Sequence, residues 1–430
     1  MKLGTWLGAA GLAMALTAPV AQADLVFPSL DYRTGPYAPN GIPLADGYAD
    51  YFTLLNERDG GIGGVKARVL PCETGYNTEK GVECYEATKG EGALVYQPYS
   101  TGITYQLIPK ASVDQIPIHS MGYGRTSAAN GKIFEWVFNY PGTYWDAASI
   151  IIKYIKSEEG GDISGKKLAL VYHNSAYGKE PIRTLEVLAE REGYELLLLP
   201  VDHPGQEQKA TWLQVRRERP DYVMMWGWGV MNQVAIKEAA SVRFPMDKFI
   251  GVWWSASEND TLPAGDGADG YKAITMHGVG RDYPLYDDLE QYVYSKGLAA
   301  GAGDQHGRVL YNRGVVAAML ASEAVRKAQE IHGVADITPA MMRDGMEALE
   351  ITEARLTELG LPGFMPEISV SCENHGPPGL GAIQQWDTDS QSWSLITEFV
   401  ASDREIVDPL IAADSAAYAA EAGIEPRDCN

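Results

Sequence analysis

The sequence predicts an α/β chain of two doubly wound, Rossmann-like lobes, each with a parallel sheet covered on both faces. Three observations predict it. Apolar runs of four to seven residues alternate with amphipathic stretches, the pattern of buried parallel strands joined by crossover helices. Two such series occur, separated by FNYPGTY (138–144). At 430 residues the chain has room for two domains of about 100–200 residues each.

In the first series LVFPSLD (25–31) reads as a strand, and LADGYADYFTLLNERDG (44–60) has helical spacing that stops at Gly60-Gly61. VKARVLP (65–71) is the second strand, with a helix near 77–90 after it. ALVYQ (93–97) is the third, followed by a helix over about 102–113, and IPIHSM (116–121) is the fourth. The second series runs helix 143–157, strand KLALVY (167–172), helix 180–192, strand YELLLLPV (194–201), helix 208–217, strand DYVMMW (221–226), helix 230–241 and strand KFIGVWW (248–254). A long helix begins near 308. AIQQWDTDSQSWSLI (382–396) reads as a hairpin turned at Asp387–Ser390, and the tail 403–430 reads as a helix ending near Gly423 and then a strap ending at Cys429.

The first 23 residues carry Lys2, an apolar stretch from Leu7 to Leu16 and the small-x-small site Ala21-Gln22-Ala23. That is the signature of a secretory signal peptide, with an apolar region too short to anchor in a bilayer. The mature chain is expected to be exported and to begin at Asp24. A formal net charge of −22 repels nucleic acid and anionic membrane surfaces, so neither is expected as a partner. Cys72, Cys84, Cys372 and Cys429 make an even count in an exported chain, which favours disulfides. Of the three pairings, Cys72–Cys84 is the natural local bridge; Cys372–Cys429 would then tie the tail to the body.

Catalytic and cofactor motifs fail on context. GDGADG (265–270) follows no strand and carries Asp266 and Asp269 where a pyrophosphate needs bare amides. GGDISGKK (160–167) precedes its strand and lacks the final Ser/Thr. No G-x-S-x-G, H-E-x-x-H or calcium loop is present, and the seven histidines are scattered. No enzyme activity, metal or cofactor is expected.

What recurs is aromatic and hydroxyl chemistry just past the strands, where open parallel sheets bind ligands. There stand Tyr32 to Tyr37, Tyr99-Ser100-Thr101, Tyr123, Tyr177, Trp226 with Trp228, and Trp253-Trp254-Ser255. In YVMMWGWGVMNQ (222–233), Trp226 is expected to pack, Gly227 and Gly229 to turn the backbone, and Trp228 to enter a cleft.

The segment DYRTGPYAPNGIPLADGYADYFTLLNERDGGIGGVKARVL (31–70) carries a T-G-P turn at Thr34-Gly35-Pro36, Asn56 near the end of its helix, and Gly60-Gly61-Ile62-Gly63 before the second strand. With ALVYQPYSTGITYQLIP, KKLALVYHNSAYGKEPIRTLEVLAEREGYELL and ADGYKAIT in order, it resembles the type I periplasmic solute-binding proteins of ABC importers, the branched-chain amino-acid-binding class. The resemblance covers nearly the whole mature chain to about 400. It implies lobes joined by three crossovers, one comprising 24–142 and 278–365, the other 143–277 and 366–400, with 401–430 as an extension. It also implies hinge closure on a small solute and delivery, by a monomer, to an inner-membrane permease with its ATPases. A protein of this kind that reports its solute to a sensory receptor is the alternative.

The ligand-binding candidates are Tyr37, Ser100, Thr101, Tyr123, Tyr144, Tyr177, Trp228 and Trp254. By the resemblance, Ser100 and Thr101 stand where relatives hold a carboxylate, at a helix N-terminus that favours an anion. The acids that hold an ammonium in relatives are replaced by Tyr144/Trp145 and Trp253/Trp254, with Asp146 and Glu258 shifted nearby. Arg33, Arg125 and Arg313 are further candidate carboxylate partners. The expected solute is an amino acid or a related small organic acid or amide, with aromatic surface to stack on.

Overall fold

The computed structural model describes residues 24–429; the predicted signal peptide lies outside them. Two parallel sheets carry the fold. In the first, β1 (Leu25–Asp31) and β2 (Ala67–Glu73) pair in unbroken parallel register. On the other side of β1 lies 93–97, joined by the bridges Val26↔Ala93 and Ser29↔Gln97, and it bridges in turn to β3 (Ile118–His119), which pairs with β4 (Val137–Phe138). The predicted strand at 93–97 is thus a bridged segment without a continuous ladder. Pro98 ends it and Pro117 lies opposite, and neither has an N–H to give.

The second sheet holds β5 (Lys167–His173), β6 (Glu195–Val201), β7 (Tyr222–Trp226), β8 (Phe249–Gly251) and β9 (Lys272–Thr275), all parallel, in the spatial order β6-β5-β7-β8-β9. The chain then leaves for the first sheet's side, where β10 (Glu350–Ile351) and β11 (Ile368–Ser369) form a small antiparallel pair. It returns as β12 (Leu380–Asp387), antiparallel to β9, with β13 (Ser392–Leu395) and β14 (Val400–Ala401) paired to β12. The hairpin turns at the predicted place, where the Asp387 carboxylate accepts from the Ser390 backbone N–H and hydroxyl.

Several predicted bounds move, two of them beside the cleft. The helix read from 44 starts at Ala38, because Pro39 in its first turn needs no helical partner for a missing N–H and so lengthens the helix toward β1. The strand read over 248–254 stops at Gly251, and Trp253–Ser255 form a tight 3-10 turn.

The core of the first lobe is the crossing of helices Ala38–Arg58 and Val309–His332. A Cβ on Gly47 would sit 2.1 Å from the Tyr311 carbonyl oxygen, and one on Gly314 2.0 Å from that of Leu44. Only glycines allow this approach, and it buries one long face of each helix.

Both disulfides are formed as Cys72–Cys84 and Cys372–Cys429. The tail helix Arg404–Ala422 lies across both lobes. Arg404 bonds Asp146 at 2.8 Å, while Asp414 takes Arg125 at 2.6 Å and Tyr418 stacks on Phe134 at 4.8 Å. Among the described residues no helix is long and apolar enough to cross a membrane.

Candidate functional site

The carboxyl ends of both sheets face one another across a narrow cavity with little free space. Nearly every wall residue comes from the first few positions after a strand. The first sheet supplies Tyr32 after β1, Tyr76 after β2, Tyr99-Ser100-Thr101 after the 93–97 segment, and Tyr123 after β3. The second supplies Tyr177 after β5, Trp228 after β7 and Trp254 after β8. Tyr144 comes from the crossover, where it opens the helix Tyr144–Glu158 capped by Thr143.

Seven of the eight predicted ligand-binding residues therefore line one cavity: Ser100, Thr101, Tyr123, Tyr144, Tyr177, Trp228 and Trp254. Tyr37 does not. It is the N-cap residue of Ala38–Arg58, and its hydroxyl reaches across to the second lobe, sharing hydrogen bonds with His173 Nε2 at 2.8 Å and His203 Nδ1 at 3.2 Å. Tyr32, Tyr76 and Tyr99 also line the cavity and were not selected as site residues from the sequence.

The first wall is knitted by its own hydrogen bonds. The Tyr32 hydroxyl donates to the Tyr99 carbonyl at 3.2 Å, and the Tyr99 N–H donates to the Tyr123 hydroxyl at 3.1 Å. Ser100 caps the helix Thr101–Asp114 by accepting the Ile103 N–H, and Thr101 Oγ1 accepts the Gly124 N–H at 3.1 Å. Tyr76 and Tyr99 hold left-handed backbones, with φ of 62° and 49°, conformations rare outside glycine and concentrated at sites.

Indoles dominate the second wall. Trp228 meets Trp254 edge to face at 5.4 Å and Tyr32 at 6.0 Å. Trp226, two residues earlier in β7, is fully buried and faces Tyr144 at 6.4 Å without lining the cavity. Gly229 makes the turn between strand and helix at φ 63°, and a Cβ there would strike the Tyr37 ring at 2.7 Å. Gly227 is needed for a different reason than the predicted turn: the Asn232 side-chain oxygen lies 2.3 Å from where its Cβ would be.

The cleft is closed. Trp253 and Trp254 both donate their indole N–H to the Gly122 carbonyl at 2.7 Å, the Val230 N–H donates to Pro36, and Asn40 bonds Asp260 at 3.0 Å. Apart from the partly exposed Tyr76, all wall residues are buried. Burial pushes the wall tyrosine hydroxyls up, so all are neutral at physiological pH.

No charged side chain lines the cavity. Asp146 is held by Thr143 and Arg404. Glu258 accepts the Val309 N–H at the start of the helix Val309–His332, and burial raises its carboxyl to about 7. Neither is on the wall. Arg33 is paired with Asp46, and Arg125 with Asp414. Arg313 is different: fully buried, it donates to the Trp253 carbonyl and His277 Nε2 and stacks over the Trp254 ring at 4.9 Å. Burial lowers its guanidinium to about 9, so it is still a cation at neutral pH.

A family model described as periplasmic binding protein matches residues 26–391. No curated protein matches the chain. A solved structure described as an ABC transporter permease from the Pseudomonas fluorescens group is 41% identical, with a TM-score of 0.87, covering 95% of this chain and 99% of that one. Two more distant structures share the fold. A branched-chain amino acid ABC transporter from Thermus thermophilus with bound valine is 20% identical, with a TM-score of 0.76, covering 91% and 99%. A solute-binding protein of an ABC transporter from R. palustris, in complex with benzoate, is 17% identical, with a TM-score of 0.67, covering 89% and 98%.

Proposed function

The chain belongs to the periplasmic binding protein family, and from that premise we propose that it is the substrate-binding component of an ABC importer. It closes its lobes around a compact solute, an amino acid or a related small organic acid or amide, and presents the closed form to permease subunits in the inner membrane. The moving bodies are 24–142 with 278–365, and 143–277 with 366–400, with 401–430 as an extension. Ser100, Thr101, Tyr123, Tyr144, Tyr177, Trp228 and Trp254 hold the solute, and Tyr37 latches the rim.

One observation carries this reading. Residues from the carboxyl ends of both sheets close a single cavity, the place where open α/β sheets take ligands, and hydrogen bonds across the cleft hold it shut. The test is a thermal-shift screen of amino acids, organic acids, amides, sugars and polyamines on the mature chain. A ligand at 100 times its dissociation constant adds about 2.7 kcal/mol to stability. A saturable rise with one class supports a solute carrier; no response to any class defeats it.

A further inference from the structure

We propose that the tail helix Arg404–Ala422 is a strap across the hinge that favours the closed form, seated on the second lobe at its start and locked to the first at its end. This rests on the two lobes being the moving bodies and adds a device outside the cleft to that reading.

The start of the strap belongs to the second lobe. The chain enters it from β14, which is paired to β12. Lys153 donates to the Ala401 carbonyl at 2.6 Å, the Asp403 N–H to Ser149 Oγ at 2.9 Å, and Arg404 to Asp146 at 2.8 Å. Arg191, on the helix Ile182–Glu192, pairs with Asp403.

The end belongs to the first lobe. Arg125 donates twice to one Asp414 carboxylate oxygen, at 2.8 and 2.6 Å, and lies 4.7 Å over the Tyr418 ring. Asn130 donates to Ser415 Oγ at 2.9 Å, and Ala419 joins an apolar cluster with Ile108, Phe134 and Val137. Past the helix, Arg427 donates to the Gly131 carbonyl, and Cys429 is bonded to Cys372. The segment around Cys372 is itself tied to the first lobe: the Gly131 N–H donates to the Glu373 carbonyl and the His375 N–H to that of Ala129. The third crossover therefore lies beyond His375, not at 366. Between the two ends, Val407 and Ile411 pack in one cluster with Ala129 of the first lobe and Trp145 of the second, which flank the first crossover.

A helix of 19 residues is about 28 Å long and does not stretch. Parting the lobes must break its contacts at one end, and the disulfide keeps the far end from leaving. Contacts present only in the closed form shift the equilibrium toward it. The path to the cavity is short. In successive positions of one helical turn, Tyr144 lines the cavity, Trp145 packs on the strap and Asp146 takes Arg404.

The experiment is hydrogen exchange, read by mass spectrometry, on the mature chain refolded with its disulfides formed and free of solute. Val230 and Val309 donate their backbone N–H groups across the cleft, to the Pro36 carbonyl and the Glu258 carboxylate, so they report parting of the lobes. The amides of β7, paired within their own sheet, report unfolding of the lobe core. In Cys372→Ser/Cys429→Ser, exchange at the two cross-cleft amides is expected to rise at least about tenfold with β7 unchanged. Asp414→Asn keeps both disulfides and is expected to raise it about two- to fivefold; it decides the matter should the double variant fail to fold. Unchanged cross-cleft exchange in the folded variant overturns the inference. An equal rise in β7 also overturns it, because the tail is then ordinary packing. No solute enters the measurement, so its result is separate from that of the thermal-shift screen.

Discussion

The two walls of the cavity are built on different principles. The first is a set of tyrosines and hydroxyls tied together by hydrogen bonds within their own lobe, from Tyr32 to Tyr99 to Tyr123 and from Thr101 to Gly124. The second is a set of indoles whose partners lie largely across the cleft, with Trp254 bonded to Gly122 and Trp228 set against Tyr32. The first wall can exist before closure; the second is completed by it. Under the proposed function, a solute would meet a preformed polar surface first and be covered by the indoles afterwards, a division that suits a two-step capture.

Substitutions can break or sharpen that contrast. The largest effect is expected from Trp226→Ala, which empties a fully buried site in β7 and should cost about 3–5 kcal/mol of unfolding free energy, read as a lower denaturant midpoint without ligand. Thr101→Val leaves the buried Gly124 N–H without its acceptor and should cost about 1–3 kcal/mol in the ligand-free chain. Trp228→Ala should weaken solute binding by about tenfold or more, near 1.4 kcal/mol, while the ligand-free melting temperature barely moves. If Trp228→Ala instead destabilises the free chain as much as Trp226→Ala does, the second wall is ordinary core and the contrast fails. Tyr37→Phe removes the rim contacts to His173 and His203 and should reduce affinity by about 0.5–1.5 kcal/mol, measured by calorimetry.

A separate effect is one of pH. Burial, and then the neighbouring His203, lower His173 from 6.5 to about 3. Between those values the folded chain binds fewer protons at this site than the unfolded chain does, so its contribution to stability is lost as pH falls through the window. Glu258 and Asp260, raised by burial to about 7 and about 6, act in the opposite sense, because the folded chain holds their protons more tightly. Comparing melting curves of the parent and His173→Gln from pH 7 to 4 isolates the histidine: the variant should lose less stability on acidification.

Much of this was legible in the sequence, because a buried parallel strand announces itself as an apolar run and its end fixes where a ligand can reach. Six of the predicted wall residues follow from that rule, and Tyr144, from the crossover, follows from the family resemblance. Tyr76 escaped it because β2 runs to Glu73, two residues beyond the apolar stretch that ends at Pro71; counted from the true end, it stands where its counterparts do. Tyr37 lies outside the cavity because the following helix starts at Ala38, which draws it out of the strand-end loop and onto the rim. Arg313 is legible in the sequence as a candidate carboxylate partner, but its place in the fold is not. It sits within a 24-residue helix, and only the tertiary approach of the Trp253 turn sets it behind the wall.

The shared Gly122 carbonyl has an optical consequence. Trp228, Trp253 and Trp254 are 3%, 2% and 4% exposed in the closed form, and two of them give their N–H protons to that one oxygen. Parting the lobes transfers all three indoles toward water and breaks both bonds, so the chain's own fluorescence should shift to longer wavelength on opening and back on capture. Three of its ten tryptophans then form a label-free gauge of the cleft, through which the kinetics of solute entry can be followed in stopped flow.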